Sequence, residues 1–319
     1  MNANVSPPWL SVVIPSYHGE RWIHAALTSL AADAAPGIEV LLIDGGPTRA
    51  TLDAAAHFAE RLTLRVFERP DLKSWHEKTN YGVEIAASQH VCWLGVDDVW
   101  MPGRARAVHA WIDRFPEVAL QLGASFIIDR SGRRLGRWRC PLPSEVALAG
   151  DFVRERLLVQ NFVAAPAPVF RKDAWLACGG LDPHLWYTAD WDMWLKLTAA
   201  GPVHYHDEPT IGFRIHGGSL TMTGGADIGE FVDQMRRVLD RHLPRLGKSA
   251  PGVRAAAVAS IEVNAALSLA SVGQYAALMP ALWSVLRLGP AGIARYLSHS
   301  RLMERLLPRL RAKWAGDFA

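Results

Sequence analysis

The sequence predicts an α/β fold: a Rossmann-like, mostly parallel sheet flanked by helices, with a helical C-terminal extension. Three observations carry this. Short apolar runs alternate with helix-like stretches through the first hundred residues. One run, Ile38–Ile43, holds a single charge, Glu39, as a parallel strand covered on both faces does. Repeated strand–helix units of this length imply right-handed crossovers joining parallel neighbours.

The elements follow in order. Strands are expected over Leu10–Ile14, Ile38–Ile43, Leu62–Phe67 and Val91–Val96, with helices over Glu20–Ala32, Thr48–Arg61 and His76–Ser88 between them. Arg130–Gly150 is basic and rich in Gly and Pro, which reads as a long loop or irregular hairpin. Asp151–Asn161 reads as helix, Pro168–Phe170 as an extended piece, and Lys172–Cys178 as a short helix closed by Gly179-Gly180. A helix over Asp190–Ala200 ends at Gly201-Pro202, and Val203–Ile215 returns to extended structure. After the glycine-rich stretch 217–225, the chain reads as helix to its end, beginning with an amphipathic helix over Asp227–His242.

Composition narrows the function. Half of the 319 residues are hydrophobic and the formal charge is +3, so nothing points to nucleic acid as a partner. Cys92, Cys140 and Cys178 form no CxxC pair and have no histidine at zinc-ligand spacing, which fits a reducing compartment. No basic segment precedes an apolar stretch of signal length. The longest nearly apolar run, Tyr275–Leu286, is interrupted by Pro280 and is too short to span a bilayer. The expected location is the cytoplasm, either free or peripheral on the inner membrane face.

Ligands in open parallel sheets gather at the carboxyl ends of the strands. Pro15-Ser16-Tyr17 follows the first strand, Asp44-Gly45-Gly46 the second and Asp97-Asp98 the fourth. Both acidic tips should face one crevice. Adjacent carboxylates suit a hard cation such as Mg²⁺ or Mn²⁺, which takes oxygen ligands and keeps waters or substrate phosphates for the rest. A capped turn is the plain structural account of the same pair, since Pro102-Gly103 follows at turn spacing.

From about Leu10 to Thr221 the chain resembles the GT-A fold glycosyltransferases of the family 2 type. Five stretches carry the resemblance, in the family's order: SVVIPSYHGERWIHAALTSL, EVLLIDGGPT, ERPDLKSWHEKTNYGVEIAASQHVCWLGVDDVWMPG, CGGLDPHLWYTADWDMWLKL and FRIHGGSLT. The resemblance implies a catalytic domain over 1–221 and a separate helical region over 222–319. It also implies a metal-dependent, inverting transfer of a sugar from a nucleotide-diphosphate donor, with a UDP-sugar expected, to a hydroxyl on a glycan or lipid-linked sugar.

The resemblance also assigns roles. Asp44 would bind the base or ribose, with Pro15 and Tyr17 forming the other wall of the nucleotide site. Lys73, Lys78 and Asn80 would face the donor, although lysines on a helix are more commonly solvated. Asp97 would touch the ribose or the metal shell. Asp98 and His216 would ligate the metal, and Arg214 would partner the charge. Asp190 would be the catalytic base, with Asp192 in reserve. Residues two apart on a helix point about 200° from each other, so only one of these acids can face the crevice. Trp191 and Trp194 could pack on a sugar face. The chain departs from the family at Gly45, Gly95 and Ala189, where relatives often carry acids.

Those departures sustain the reading of a catalytically inactive nucleotide-sugar-binding or scaffold protein. A nucleotidyltransferase would normally place a glycine-rich basic loop after the first strand, where this chain has PSYHGE. Past residue 221 the resemblance stops. From Gln274 onward Trp283, Leu286, Tyr296, Leu302, Leu306 and Leu307 accompany Arg287, Arg295, Arg301, Arg305, Arg309, Arg311 and Lys313, against only Glu304 and Asp317. Such helices suit either an anionic membrane interface or a cap docked on the catalytic domain.

Overall fold

The computed structural model describes residues 7–33, 35–218 and 227–314. The predicted boundary between 221 and 222, and the end of the FRIHGGSLT stretch, lie outside these residues.

Ten strands form one sheet: β1 Leu10–Ser16, β2 Ile38–Asp44, β3 Thr63–Glu68, β4 His90–Trp93, β5 Val99–Trp100, β6 Leu120–Ile128, β7 Arg134–Trp138, β8 Ala147–Leu148, β9 Val169–Arg171 and β10 Val203–Arg214. The order is β3-β2-β1-β4-β9-β6-β10-β5, with β7 on β6 and β8 on β10. The long β1–β2, β2–β3 and β6–β10 ladders are parallel, as is β1–β4. Antiparallel pairing enters through the β6–β7 hairpin and the short strands β5, β8 and β9. The mostly parallel expectation therefore holds for the long ladders, while β9 wedges between β4 and β6. The central strand β6 was not among the sequence-predicted strands, and the stretch 130–150, expected as a long loop or irregular hairpin, supplies β7 of the β6–β7 hairpin and the short β8.

Strand residues alternate between two cores, as the period of two requires. Val12, Ile14, Val40 and Leu42 face one cluster, with helices α1 Ile23–Ala32, α2 Ala50–Ala56 and α4 Arg104–Arg114. Val13, Leu41 and Ile43 face the other, with α3 Trp75–Ile85, α5 Gly150–Val159, α6 Lys172–Ala177 and α7 Ala189–Leu197. The single charge inside β2 is satisfied rather than exposed. Glu39 accepts from Ser11 Oγ at 2.5 Å, from the Ala87 amide at 2.6 Å and from Arg65 at 3.1 Å, which offsets the cost of burying a carboxylate.

The C-terminal helices are α8 Ile228–His242, α9 Ala250–Ser271, α10 Leu278–Leu286, α11 Gly289–Ser300 and α12 Leu302–Trp314. They share the second core through Phe231, Met235, Val238, Val253, Ile261 and Tyr296. The continuous helical stretch Ile228–Ser271, which ends in α9, is long and apolar enough to cross a membrane by length and composition, a feature the sequence reading passed over. Its Val253, Ala256, Ala257 and Ile261 are buried against the rest of the protein. Helix α12 docks on β7: Arg139 binds Glu304 at 2.8 Å, Arg311 donates to the Leu135 carbonyl at 2.7 Å, and Ala312 is buried. The docked-cap expectation thus describes α12.

Candidate active site

The parallel register sets Ser16 beside Asp44, so the tips of β1 and β2 end together. Asp44 is buried. One carboxylate oxygen accepts the Gly46 amide at 3.2 Å, and the other has no protein partner among the described residues. Lys78 on α3 is also buried, and its ammonium lies 5.4 Å from the Tyr17 ring centroid. Burial pushes the Lys78 pKa down, and the nearby Asp44 charge opposes that shift. A Cβ at position 45 would come within 2.5 Å of Lys78 Cε. The glycine that departs from the double-acid pattern therefore leaves room for a lysine beside Asp44.

Two expected donor-facing residues are engaged elsewhere. Lys73 is exposed and donates to the Pro70 carbonyl at 2.6 Å, while its own carbonyl accepts from Lys78 at 3.3 Å. Asn80 bonds both polar ends of its side chain to the Leu181 backbone, each at 2.9 Å, bracing the turn that leads toward α7. Lys78 is the cation that the structure brings to Asp44. The sequence spacing did not distinguish it from Lys73.

The second acidic tip follows β4, on the other side of β1. The Asp98 amide donates to the Gly95 carbonyl at 3.0 Å, which closes a tight turn. Asp98 is buried and one of its oxygens accepts the Arg214 amide at 2.8 Å. Burial raises its pKa well above the usual carboxylate range, and the charge of Asp97 raises it further. Asp97 is more accessible, with Oδ2 3.0 Å from His216 Nε2. Arg214 locks the turn by donating Nε to the Asp97 carbonyl at 2.6 Å and Nη1 to the Asp129 and Arg130 carbonyls at 2.9 Å. The Trp22 ring lies 5.0 Å from both the Arg214 guanidinium and the His216 ring.

These residues fit a divalent cation in one specific way. A Cβ at Gly95 would stand 2.6 Å from an Asp98 oxygen and 2.9 Å from an Asp97 oxygen, so both carboxylates close over this glycine. Two adjacent carboxylates that repel each other are the environment a hard cation neutralises. Among the described residues, no group of three or more His, Cys, Asp or Glu side chains forms a complete protein cage.

Asp190 opens α7. One of its oxygens accepts the Trp191 amide at 2.7 Å and the other accepts Asn161 Nδ2 at 3.1 Å. Burial lifts its pKa to about 6 against the opposing pull of those hydrogen bonds. Asp192 points the other way and is wholly buried against Lys196 at 2.8 Å, Arg241 at 2.9 Å and His242 at 2.8 Å. Burial pushes Asp192 up, but those hydrogen bonds and charges win and hold it near 2. Trp191 and Trp194 are core residues, with Trp194 stacked on Trp93 at 4.9 Å, so neither is an exposed sugar platform.

Residues 11–162 match the family model described as glycosyl transferase family 2. An uncharacterized glycosyltransferase of Rickettsia prowazekii (strain Madrid E) is 23% identical over 246 residues, covering 73% of this chain and 72% of the relative. A PGL/p-HBAD biosynthesis glycosyltransferase of Mycobacterium bovis (strain BCG / Pasteur 1173P2) is 28% identical over 191 residues, covering 59% of this chain and 69% of the relative. In fold, the chain is similar to S. aureus TarS 1-349 in complex with UDP-GlcNAc. That match has a TM-score of 0.65 at 16% identity and covers 97% of this chain and 92% of TarS 1-349. The mannosyltransferase PcManGT from Pyrobaculum calidifontis, in complex with GDP-Man and Mn2+, aligns with a TM-score of 0.52 at 15% identity over 99% of this chain and 91% of its own. Residues 11–162 thus match the family 2 glycosyltransferases, and the architecture around them is similar to that of solved glycosyltransferases of GT-A fold.

Proposed function

We propose that the protein transfers a sugar, with inversion, from a nucleotide-diphosphate donor, a UDP-sugar, to a hydroxyl acceptor in glycan or surface polysaccharide assembly. The observation that carries this reading is the knot of Asp97, Asp98, Arg214 and His216 at the tip of β4, across β1 from Asp44. The UDP-GlcNAc bound to TarS, and the GDP-Man and Mn2+ bound to PcManGT, support a nucleotide-sugar donor and a divalent metal.

In this mechanism Asp44, Pro15 and Tyr17 receive the nucleoside, and Lys78 lies beside Asp44 and faces the donor. Asp97, Asp98 and His216 would hold Mg²⁺ or Mn²⁺, which supplies Lewis-acid stabilisation of the leaving diphosphate. Arg214 acts through the turn, fixing both acids by their backbone and carboxylate contacts. Asp190, poised near neutrality, accepts the proton of the attacking hydroxyl. With one base and no second nucleophile, a single displacement inverts the anomeric centre. Gly45 and Gly95 leave room for Lys78 and for the acid pair, so these departures do not mark a degenerate site.

The C-terminal helices add peripheral contact with an anionic membrane, consistent with a cytoplasmic protein at the inner face. Tyr275, Met279, Leu282, Trp283, Leu286 and Leu297 are all more than half exposed or at half. No acid occurs between Glu262 and Glu304, while Arg287 and Arg295 are exposed beside the apolar face. Charge and apolar exposure together match an anionic bilayer surface.

The test is thermal stabilisation by UDP-sugars with and without Mn²⁺, since a ligand bound by the native state raises the melting temperature. Metal should strengthen the shift, and Asp98→Ala should remove the strengthening while the fold survives. Equal stabilisation in EDTA would exclude the metal-assisted reading.

A further inference from the structure

Beside the acceptor side of the site lie two cations, Arg305 and Arg309, with no counter-acid among the described residues. Asp190 is tied to α5 by Asn161, whose carbonyl accepts Gln160 Nε2 at 3.2 Å. Gln160 Oε1 accepts Asn264 Nδ2 from α9 at 2.8 Å, and Asn264 Oδ1 accepts Arg305 Nη2 from α12 at 3.2 Å. A continuous chain of hydrogen bonds therefore runs from the proposed base into the C-terminal helices. Arg309, one turn further on, donates Nη1 to the Arg305 carbonyl at 2.8 Å.

The Arg305 guanidinium is in an unusual position. Its Nε and Nη1 are buried and have no hydrogen-bond partner among the described residues. Among the described residues no carboxylate acts on Arg305 or Arg309; the facing groups are Tyr187, for both, and Tyr296, for Arg305. Burial, and then the charge of Arg309, push Arg305 down to about 10, and burial also lowers Arg309. Tyr187 joins the pair to the catalytic side, because its hydroxyl lies in the fields of Arg309, Arg305 and Asp190 together. Partly burying two cations side by side, with no counter-acid among the described residues, is costly. A guanidinium presents paired donors that match a phosphate oxygen edge. A phosphate monoester carries close to two negative charges at neutral pH, which matches two cations better than a single carboxylate does.

We propose that Arg305 and Arg309, beside Tyr187, bind a phosphate group carried by the sugar acceptor. This rests on the reading of Asp190 as the acceptor-side base. The site gives the C-terminal region a role in substrate recognition, and an anionic, phosphorylated acceptor becomes the preferred class.

Phosphorus NMR line broadening of octyl phosphate and of inorganic phosphate tests it on the full chain, with octyl glucoside as the uncharged control and UDP titrated separately. Wild type should bind octyl phosphate, and Arg305→Gln with Arg309→Gln should weaken that binding by about tenfold or more. UDP binding should be unchanged by the two substitutions. Tighter binding of octyl phosphate than of inorganic phosphate identifies a lipid-linked source, and equal binding a soluble phosphorylated one. Absence of phosphate binding to wild type, or equal binding by the variant, overturns the proposal. So does a large fall in the variant's unliganded melting temperature, because a ligand-binding pair of cations without a counter-acid should not be needed for folding. Loss of UDP binding with phosphate binding intact would instead refute the donor reading and leave this site standing.

Discussion

Asn161 donates its side-chain amide to Asp190 at 3.1 Å, so the proposed base is oriented by the residue that follows α5 and Gln160. The contact holds the carboxylate without neutralising it, and burial lifts its pKa to about 6. Asp190→Asn should lower turnover by roughly 10²–10⁴ while leaving donor affinity nearly unchanged. Wild-type turnover should rise with pH through about 6, and the transfer rate measured from pH 5 to 8 checks this. The stability sign is reversed from the common carboxylate case. A raised folded-state pKa means the folded state binds more protons between about 4 and 6, so Asp190 makes stability fall as pH rises through that window. The asparagine variant should flatten this dependence and melt no lower than wild type at pH 7.5.

Asp192 should behave in the opposite way. It is a fully buried carboxylate holding Lys196, Arg241 and His242, and so it ties α7 to α8. Asp192→Asn leaves those cations under-compensated and should cost about 3–5 kcal/mol in denaturant unfolding. Its depressed pKa contributes stability above the ordinary carboxylate range that is lost as pH falls toward about 2. Folded Asp192→Asn protein should retain most of its turnover. A dead but fully stable Asp192→Asn, with an active Asp190→Asn, would reverse the two roles.

The difference between these two acids shows what the sequence could reveal. Helical spacing says that only one of Asp190 and Asp192 can face the crevice, and only the packing of Arg241 and His242 against α7 shows that Asp192 is engaged inside the protein. The first four strands were legible because β1, β2 and β4 are largely apolar runs, β2 holding only Glu39 inside it, and the edge strand β3 is bounded by turn residues. Strand β6, LQLGASFII, carries Gly123 and Ser125 in a buried setting, which weakens its pattern. Lys78 could not be separated from Lys73, since the choice depends on the space that Gly45 leaves. The link from Asp190 through Gln160 to Asn264 and Arg305 spans more than a hundred residues, and no local motif encodes it.

Glycine at position 95 is predicted to be essential to the acid pair. A methyl group there would come 2.6 Å from Asp98 and 2.9 Å from Asp97, closer than real contacts allow, and the carboxylates are held too tightly to yield cheaply. Gly95→Ala should weaken Mn²⁺-dependent donor binding by roughly tenfold or more, about 1.4 kcal/mol. Binding measured in EDTA should change much less. Equal losses with and without metal would mean that the turn itself collapses.

The apolar face of α10 supplies the last prediction. Met279, Leu282, Trp283 and Leu286 are exposed on a helix whose buried contact is Ala281, and Arg287 follows directly. If this face enters the headgroup region of an anionic bilayer, the protein should sediment with phosphatidylserine-containing vesicles at low salt. Raising ionic strength should release part of it, since basic residues near the surface contribute about 1 kcal/mol each through a screened attraction. Trp283→Ser with Met279→Ser should reduce binding even at low salt, because each removes apolar area worth roughly 1.5–3 kcal/mol when fully buried. Donor-induced thermal stabilisation should be unaffected by these two substitutions, since both lie on a helix outside the donor site. Vesicle binding that ignores the double substitution but disappears with salt would assign attachment to the arginines alone. No sedimentation at low salt would mean that this face meets something other than an anionic membrane.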